Sequence, residues 1–251
     1  MKTGIIFDIQ RNSFVDGPGI RFVVFVQGCP MRCLYCHNPD TWDFKKTNPM
    51  TSEEILQQYD NCKEFFKNGG LTVTGGEPMA QIDFLTDLFK KAKAKGIHTC
   101  VDTSGATFNK NDTSKVDELM KYTDLIMLDI KHIDDEEHKK LTGRSNKNIL
   151  DFARYLHDNK KELWIRHVVV PGITDKREYL LRLGEFIADL NNITALDVLP
   201  YHDMGKVKYE NLGIDYPLKD VEPLSKEKAA EARDIIIEGI RNKHRRENSD
   251  K

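Results

Sequence analysis

The 251-residue sequence predicts an α/β protein built on a parallel sheet, and three observations carry that prediction. Short runs rich in Val, Ile, Leu and Phe alternate with longer runs whose apolar residues recur at helical spacing, the pattern of repeated βα units. Glycine and charged residues collect just past the carboxyl end of each β-like run, where parallel α/β folds build their sites. The length suits one such unit, so a single domain over residues 1–251 is expected, its core spanning about 16–240.

Taken in order, a first strand is expected at residues 4–9. The turn Asp16-Gly17-Pro18-Gly19 then leads into a buried strand at 20–27. A helix at 51–68 opens on a capping box, Thr51 with Glu54, and closes at Gly69-Gly70. Strands follow at 71–74, 97–102, 124–130, 163–170 and 193–199, separated by amphipathic helices at 82–95, 113–122, 146–159 and 176–190. One more helix is expected near 225–241, and the polar, basic residues 242–251 read as a flexible, frayed tail. Polar residues at strand ends suit a barrel and a doubly wound open sheet alike, so the pattern leaves both open.

Lys and Arg number 38 against 40 Asp and Glu, a net charge of −2 that points to no nucleic-acid or membrane partner. No apolar run reaches transmembrane length, and the start turns acidic at Asp8 too early for a signal peptide, so a cytoplasmic protein is expected. Five cysteines is an odd count; in a reducing compartment, three close together read as metal-binding or catalytic rather than as disulfides. Cys62 and Cys100 stand apart and read as small buried hydrophobes.

Cys29-x-x-x-Cys33-x-x-Cys36, on a loop with Gly28 and Pro30, can present three thiolates to one face, and thiolates are the usual ligands of zinc and of iron–sulfur clusters. A zinc site completed by His37 is the alternative, but four ligands within one short loop strain tetrahedral closure. A cubane cluster held by three cysteines leaves one iron open to a substrate. The other strand ends carry Gly75-Gly76-Glu77-Pro78, Asp102-Thr103-Ser104-Gly105, Asp129-Ile130-Lys131, Val170-Pro171-Gly172 and Pro200-Tyr201-His202. Glycines permit close backbone approach and a carboxylate suits an ammonium group. Alternation puts Asp129 and Lys131 on one face of their strand. Alone, these would read as a turn, an ion pair and a structural histidine.

Together the motifs resemble the radical S-adenosylmethionine superfamily, whose hallmark is Cys-x3-Cys-x2-Cys. The run Asp16-Gly-Pro-Gly-Ile-Arg-Phe, the run from Gln27 to Asn38, the run from Trp164 to Gly172, and Leu199-Pro-Tyr-His202 with Gly205-Lys206 are similar to the family that activates pyruvate formate-lyase. The similarity extends over nearly the whole chain.

That resemblance implies a partial (β/α)6, TIM-like barrel with one 4Fe–4S cluster on Cys29, Cys33 and Cys36. It implies that S-adenosylmethionine chelates the open iron and is cleaved reductively to a 5′-deoxyadenosyl radical, which takes a hydrogen atom from one glycine of pyruvate formate-lyase. Implied contacts to S-adenosylmethionine are Tyr35, Cys36, His37, Asn38, Gly75, Gly76, Glu77, Asp129, Ile130, Lys131 and His202. Asp102, Thr103, Met127 and Asp129 match a monovalent-cation site, and Asp16 and Arg166 match positions near the bound glycine loop. Flavodoxin or ferredoxin is the implied electron donor, and the chain is expected to act as a monomer. Cys62 and Cys100 are the only cysteines outside the motif, so no second cluster is expected. With little chain left for a lid, the protein substrate should close the site itself. The alternatives are an activase of another glycyl-radical enzyme, such as the anaerobic ribonucleotide reductase, a radical enzyme of small molecules, and a zinc-stabilised scaffold.

Overall fold

Parallel strands follow one another across the sheet in the order in which they occur in the chain. The computed structural model describes residues 2–45, 48–66 and 68–249. Its strands are β1 (Thr3–Ser13), β2 (Arg21–Val26), β3 (Pro49–Thr51), β4 (Gly70–Gly75), β5 (His98–Thr103), β6 (Leu125–Asp129), β7 (Glu162–Val169) and β8 (Ile193–Pro200). They form one sheet in the order β3-β1-β2-β4-β5-β6-β7-β8. Every pairing from β2 to β8 is parallel, while β1 runs antiparallel to β2 and β3. A doubly wound sheet reverses its direction of growth at a switch point. Here each crossover adds its strand on the same side, and crossovers of one hand then place the helices on one face. The sheet curls around its other face into a barrel left open between the edges β3 and β8, which resolves the choice between the two architectures.

The helices are α1 (Ser52–Asp60), α2 (Ile82–Ala94), α3 (Ser114–Met120), α4 (Asp135–Thr142), α5 (Lys147–Asp158), α6 (Arg177–Ala188), α7 (Lys206–Asn211) and α8 (Lys226–Ser249). Strand alternation sorts side chains between two layers. Val24, Val73, Val101, Ile126 and Ile165 face outward into one apolar core with Leu88 of α2, Phe152 of α5 and Leu183 of α6. Each such side chain, fully buried, contributes roughly 1.5–3 kcal/mol. The intervening residues face the barrel interior. Cys100, Leu125, Met127 and Trp164 pack together there, and the next inward positions on their strands are Asp102, Asp129 and Arg166. Fully buried Arg21 also faces inward, donating to Thr72 Oγ1 at 2.9 Å and Leu71 O at 2.7 Å.

Several boundaries differ from the sequence expectation. The first strand runs to Ser13 rather than stopping at Ile9, because its polar second half pairs with β2 through bulges that apolar alternation does not mark. The helix expected over 51–68 keeps its capping box, with Thr51 N donating to Glu54 Oε2 at 2.7 Å, but ends at Asp60. A 3-10 turn, Lys63–Phe66, then carries Phe66 onto Phe22 and Tyr59; residue 67 lies outside the described residues. Helix α4 is too polar to show apolar periodicity. It is defined by its ends, with Asp134 accepting from Glu136 N at 3.1 Å and Gly143 left-handed at φ 75°. The frayed tail expected from residue 242 is instead the continuation of α8 to Ser249. There Lys243 meets Asp189 at 3.1 Å and Arg246 pairs with Glu185 of α6; residues 250 and 251 lie outside the described residues. No helix among the described residues is long and apolar enough to cross a membrane.

Candidate active site

The loop that follows β2 is held from both sides before any of its side chains act. Gln27 Nε2 donates to the carbonyls of Asp40 at 3.0 Å and Asp43 at 2.8 Å, closing the loop on itself. From outside, the end of α4 accepts from Arg32 N at Thr142 O (2.8 Å) and from Leu34 N at Leu141 O (3.0 Å). Cys29, Cys33 and Cys36 thereby line one cavity of about 470 Å3 at the carboxyl ends of the parallel strands. Burial pushes the Cys29 thiol up to about 12, helped by the nearby Glu77 carboxylate, and pushes Cys33 up to about 12; Cys36 is raised by burial as well. Such thiols ionise only against a bound cation. Among the described residues no three His, Cys, Asp or Glu side chains converge closely enough to hold a single metal ion. The cysteines share a cavity wall rather than a one-ion cage.

The glycine-rich motif lies against this loop. Gly75 has φ +109°, and a Cβ there would meet Val26 N at 2.5 Å; a Cβ on Gly76 would stand 2.3 Å from Gly28 O. Gly76 N donates to Val26 O and Glu77 N to Gly28 O, both at 2.8 Å, contacts that glycine alone permits. Glu77, expected as a ligand contact, does not line the cavity. Its buried carboxylate accepts from Thr103 Oγ1, Met79 N (3.1 Å), Ser104 N (3.0 Å) and Ser104 Oγ (2.5 Å), which ties the motif to the end of β5.

Charged pairs line the opposite wall. Asp102 accepts from Arg166 Nη1 at 2.9 Å and Thr74 Oγ1 at 2.8 Å. Burial holds the Asp102 carboxyl above its ordinary range against the pull of Arg166. Asp129 meets Lys131 Nζ at 3.1 Å. Burial opposes both charges, but their mutual attraction prevails, lowering Asp129 and raising Lys131 well above the usual lysine value. Lys131 also stands 5.6 Å above the Tyr35 ring. Asp16 lines the cavity, its side chain accepting from Ser13 Oγ and its carbonyl from Thr72 Oγ1 at 2.7 Å. Besides Glu77, two more expected residues turn their side chains away from the cavity. The Ile130 side chain faces the outer apolar core, because it alternates with Asp129 and Lys131. Met127 is buried one layer beneath the cavity, paired with Asp102 across the β5–β6 ladder.

His37 and His202 stack with ring centroids 4.0 Å apart and 18° between planes. Burial, with His202 alongside, pushes His37 down to about 4, so its ring is neutral at pH 7. Asn38 Oδ1 accepts from Lys208 Nζ at 2.6 Å, which joins the loop to α7. Sequence reasoning missed Lys208, Thr74 and Ser104, the partners of Asn38, Asp102 and Glu77. Four buried polar atoms of cavity residues make no hydrogen bond in the protein: Tyr35 OH, Asp102 Oδ1, Arg166 Nε and His202 Nδ1. Buried polar groups are otherwise satisfied as a rule. These four therefore fit a polar, zwitterionic ligand of small-molecule size, and the three thiols beside them fit an iron–sulfur cluster.

Residues 23–184 match the model of the radical SAM superfamily. The chain is 49% identical over 237 residues to the pyruvate formate-lyase-activating enzyme of Staphylococcus epidermidis, covering 92% of this chain and 94% of that protein. It is 48% identical to the protein of the same name from Streptococcus mutans, covering 93% and 91%. Among solved structures it resembles a domain of pyruvate-formate lyase-activating enzyme from Bacteroides vulgatus, at 26% identity and TM-score 0.56 over 68% of this chain and 95% of that one. A radical SAM methyltransferase from Sphaerobacter thermophilus shares the fold, at 16% identity and TM-score 0.61 over 87% and 64% of the two chains.

Proposed function

Because this chain belongs to the radical SAM superfamily and, within it, to the pyruvate formate-lyase-activating enzymes, we propose that it activates pyruvate formate-lyase by radical chemistry at the cavity just described. The observation that carries this reading is the convergence of three thiols and the charged pairs Asp102–Arg166 and Asp129–Lys131 on one cavity, whose lining residues also hold four buried polar atoms without a hydrogen bond. When bound, a 4Fe–4S cluster and S-adenosylmethionine supply the reductive cleavage and the hydrogen-abstracting radical.

The protein's own part is holding and shielding. Cys29, Cys33 and Cys36 hold the cluster. The backbone of Gly75 and Gly76 forms a shelf for the methionine end of S-adenosylmethionine, with Asp129 and Lys131 as its charged neighbours. Tyr35, Cys36, His37, Asn38 and His202 border the nucleoside end, and the neutral His37 ring adds no charge there. Glu77 acts from behind, fixing that shelf to β5. A monovalent cation is assigned to Asp102, Thr103 and Asp129, with the Met127 backbone behind them. Asp16 and Arg166 receive the glycine loop of the protein substrate. We assign the chain as one domain acting as a monomer in the cytoplasm, with flavodoxin or ferredoxin as electron donor.

The test is anaerobic cleavage of S-adenosylmethionine by the reduced holoenzyme, alone and with pyruvate formate-lyase or a peptide of its glycine loop. Cleavage should be slow alone, accelerate with the partner, and track the glycyl radical read by electron paramagnetic resonance. Equal rates without any partner, and no radical on the lyase, would overturn the activating role.

A further inference from the structure

The loop bearing the three cysteines divides two hollows that share no lining residue. Cys29 and Met31 line the inner cavity, whereas Pro30 between them lines an outer cleft of about 510 Å3 with Asp135, Lys139, Arg144, Ser145 and Lys147. Two exposed arginines, Arg144 of this cleft and Arg32 of the loop, are bonded to the loop itself. Arg144 Nε donates to Pro30 O at 3.0 Å, and Arg32 Nη1 donates to Cys29 O at 2.8 Å and Met31 O at 2.7 Å while its guanidinium lies 5.0 Å from the Trp42 ring. Lys139 is neutralised by Asp135 and Glu136. Arg32, Arg144 and Lys147 have no carboxylate partner among the described residues, although acids outnumber bases in the chain, whose net charge is −2. None of the buried polar atoms lacking a hydrogen bond lines the cleft. Arg32 and Arg144 are tethered at different points along the loop, and Lys147 makes no bond to it, so the cations do not converge, which suits a broad acidic surface better than a small anion.

Resting on the function proposed above, we propose that this outer cleft is the docking face of the electron donor, a small acidic one-electron carrier protein. Its carboxylates meet Arg144 and Lys147, which line the cleft, with Arg32 exposed further along the same loop. One electron leaves the carrier, which is oxidised, and enters the cluster, which is reduced, across the Cys29–Pro30 wall; no bond is made or broken in this step. Because the inner cavity opens separately, donor and protein substrate can be bound together.

The test uses the holoenzyme with flavodoxin as probe, reading both the flavodoxin affinity by calorimetry across a salt series and the rate of cluster bleaching by reduced flavodoxin. Arg144→Glu with Lys147→Glu should slow association roughly tenfold or more at low salt and abolish most of the salt dependence. Bleaching of the Lys147→Glu variant by dithionite should be unchanged. Lys147→Glu alone, which disturbs no bond to the loop, should show part of the same loss. Flavodoxin binding that ignores salt, or a double variant that binds and is reduced as fast as the parent, would overturn the proposal. So would inorganic phosphate binding that is lost in the variant while flavodoxin binding persists. If dithionite supports no S-adenosylmethionine cleavage in the parent, the proposed function itself fails; if it does and flavodoxin ignores the cleft, only the docking face fails.

Discussion

Replacing Glu77 with Ala separates an anchor from a ligand contact. The carboxylate accepts from two backbone N–H groups, Met79 and Ser104, and from two hydroxyls, Thr103 and Ser104. In the Ala variant the hydroxyls can turn to other partners, but the two buried N–H groups cannot. Each orphaned buried donor costs about 1–3 kcal/mol, so the loss comes to roughly 2–6 kcal/mol. In a chain of this length that lowers the melting temperature by roughly 5–20 °C. Glu77→Gln keeps one acceptor oxygen for Met79 and Thr103 and sets an amide NH2 against Ser104 N, so about half of that loss is expected. The assay is thermal unfolding of the metal-free protein by circular dichroism, without S-adenosylmethionine. If the Ala variant melts within about 1 °C of the parent, as neutral surface substitutions do, while cofactor binding is lost, the anchoring argument is wrong.

Single Ala substitutions of Cys29, Cys33 or Cys36 should each abolish iron uptake, while Cys62→Ala and Cys100→Ala retain it, as measured by iron content after anaerobic reconstitution. Since Cys29 and Cys33 titrate near 12 without metal, loading at pH 8 should release about one proton per cysteine ligand; release of none would refute the protonated thiols. His138 and His167 are buried and pushed down to about 4 by burial. Their folded values lie below the unfolded one, so they favour the fold above about pH 6.5 and lose that contribution as pH falls toward 4, by up to about 1.4 kcal/mol per pH unit each. Urea unfolding at pH 7 and pH 5 reads this, and equal stability at both would contradict it. Arg166→Leu leaves buried Asp102 without its cation and should destabilise by about 3–5 kcal/mol, whereas the double variant with Asp102→Leu should recover much of the loss in a denaturant cycle. Additive losses would refute the pairing.

The parallel order of strands was legible because alternating βα runs have few other solutions, but the choice of barrel over doubly wound sheet needed the spatial order itself. The stretch Asp129-Ile130-Lys131 shows what local periodicity can and cannot say. Alternation correctly put Asp129 and Lys131 on one face, and the same rule sends the Ile130 side chain to the outer core, leaving only its backbone on the cavity side. Met127 precedes Asp129 by two positions and so lies one layer deeper. The orientation of Glu77 was not legible at all, because its partners Thr103 and Ser104 lie 26 and 27 residues further on. Helix α4, which clasps the cysteine loop from outside, escaped because its stability comes from caps and ion pairs rather than an apolar stripe. The end of α8 looked frayed because Asp189 and Glu185, which hold it, belong to another part of the chain.

The crossing of Gly28 and Gly76 changes how their two motifs can vary. A methyl group on Gly76 would strike the carbonyl oxygen of Gly28, and the neighbouring peptides are already hydrogen-bonded to each other. The cysteine loop and the glycine shelf are therefore one steric object written in two places along the chain. A substitution or insertion in either is felt by the other, so their mutational effects should be strongly non-additive. A change in one motif is accommodated only as far as the other's backbone can retreat.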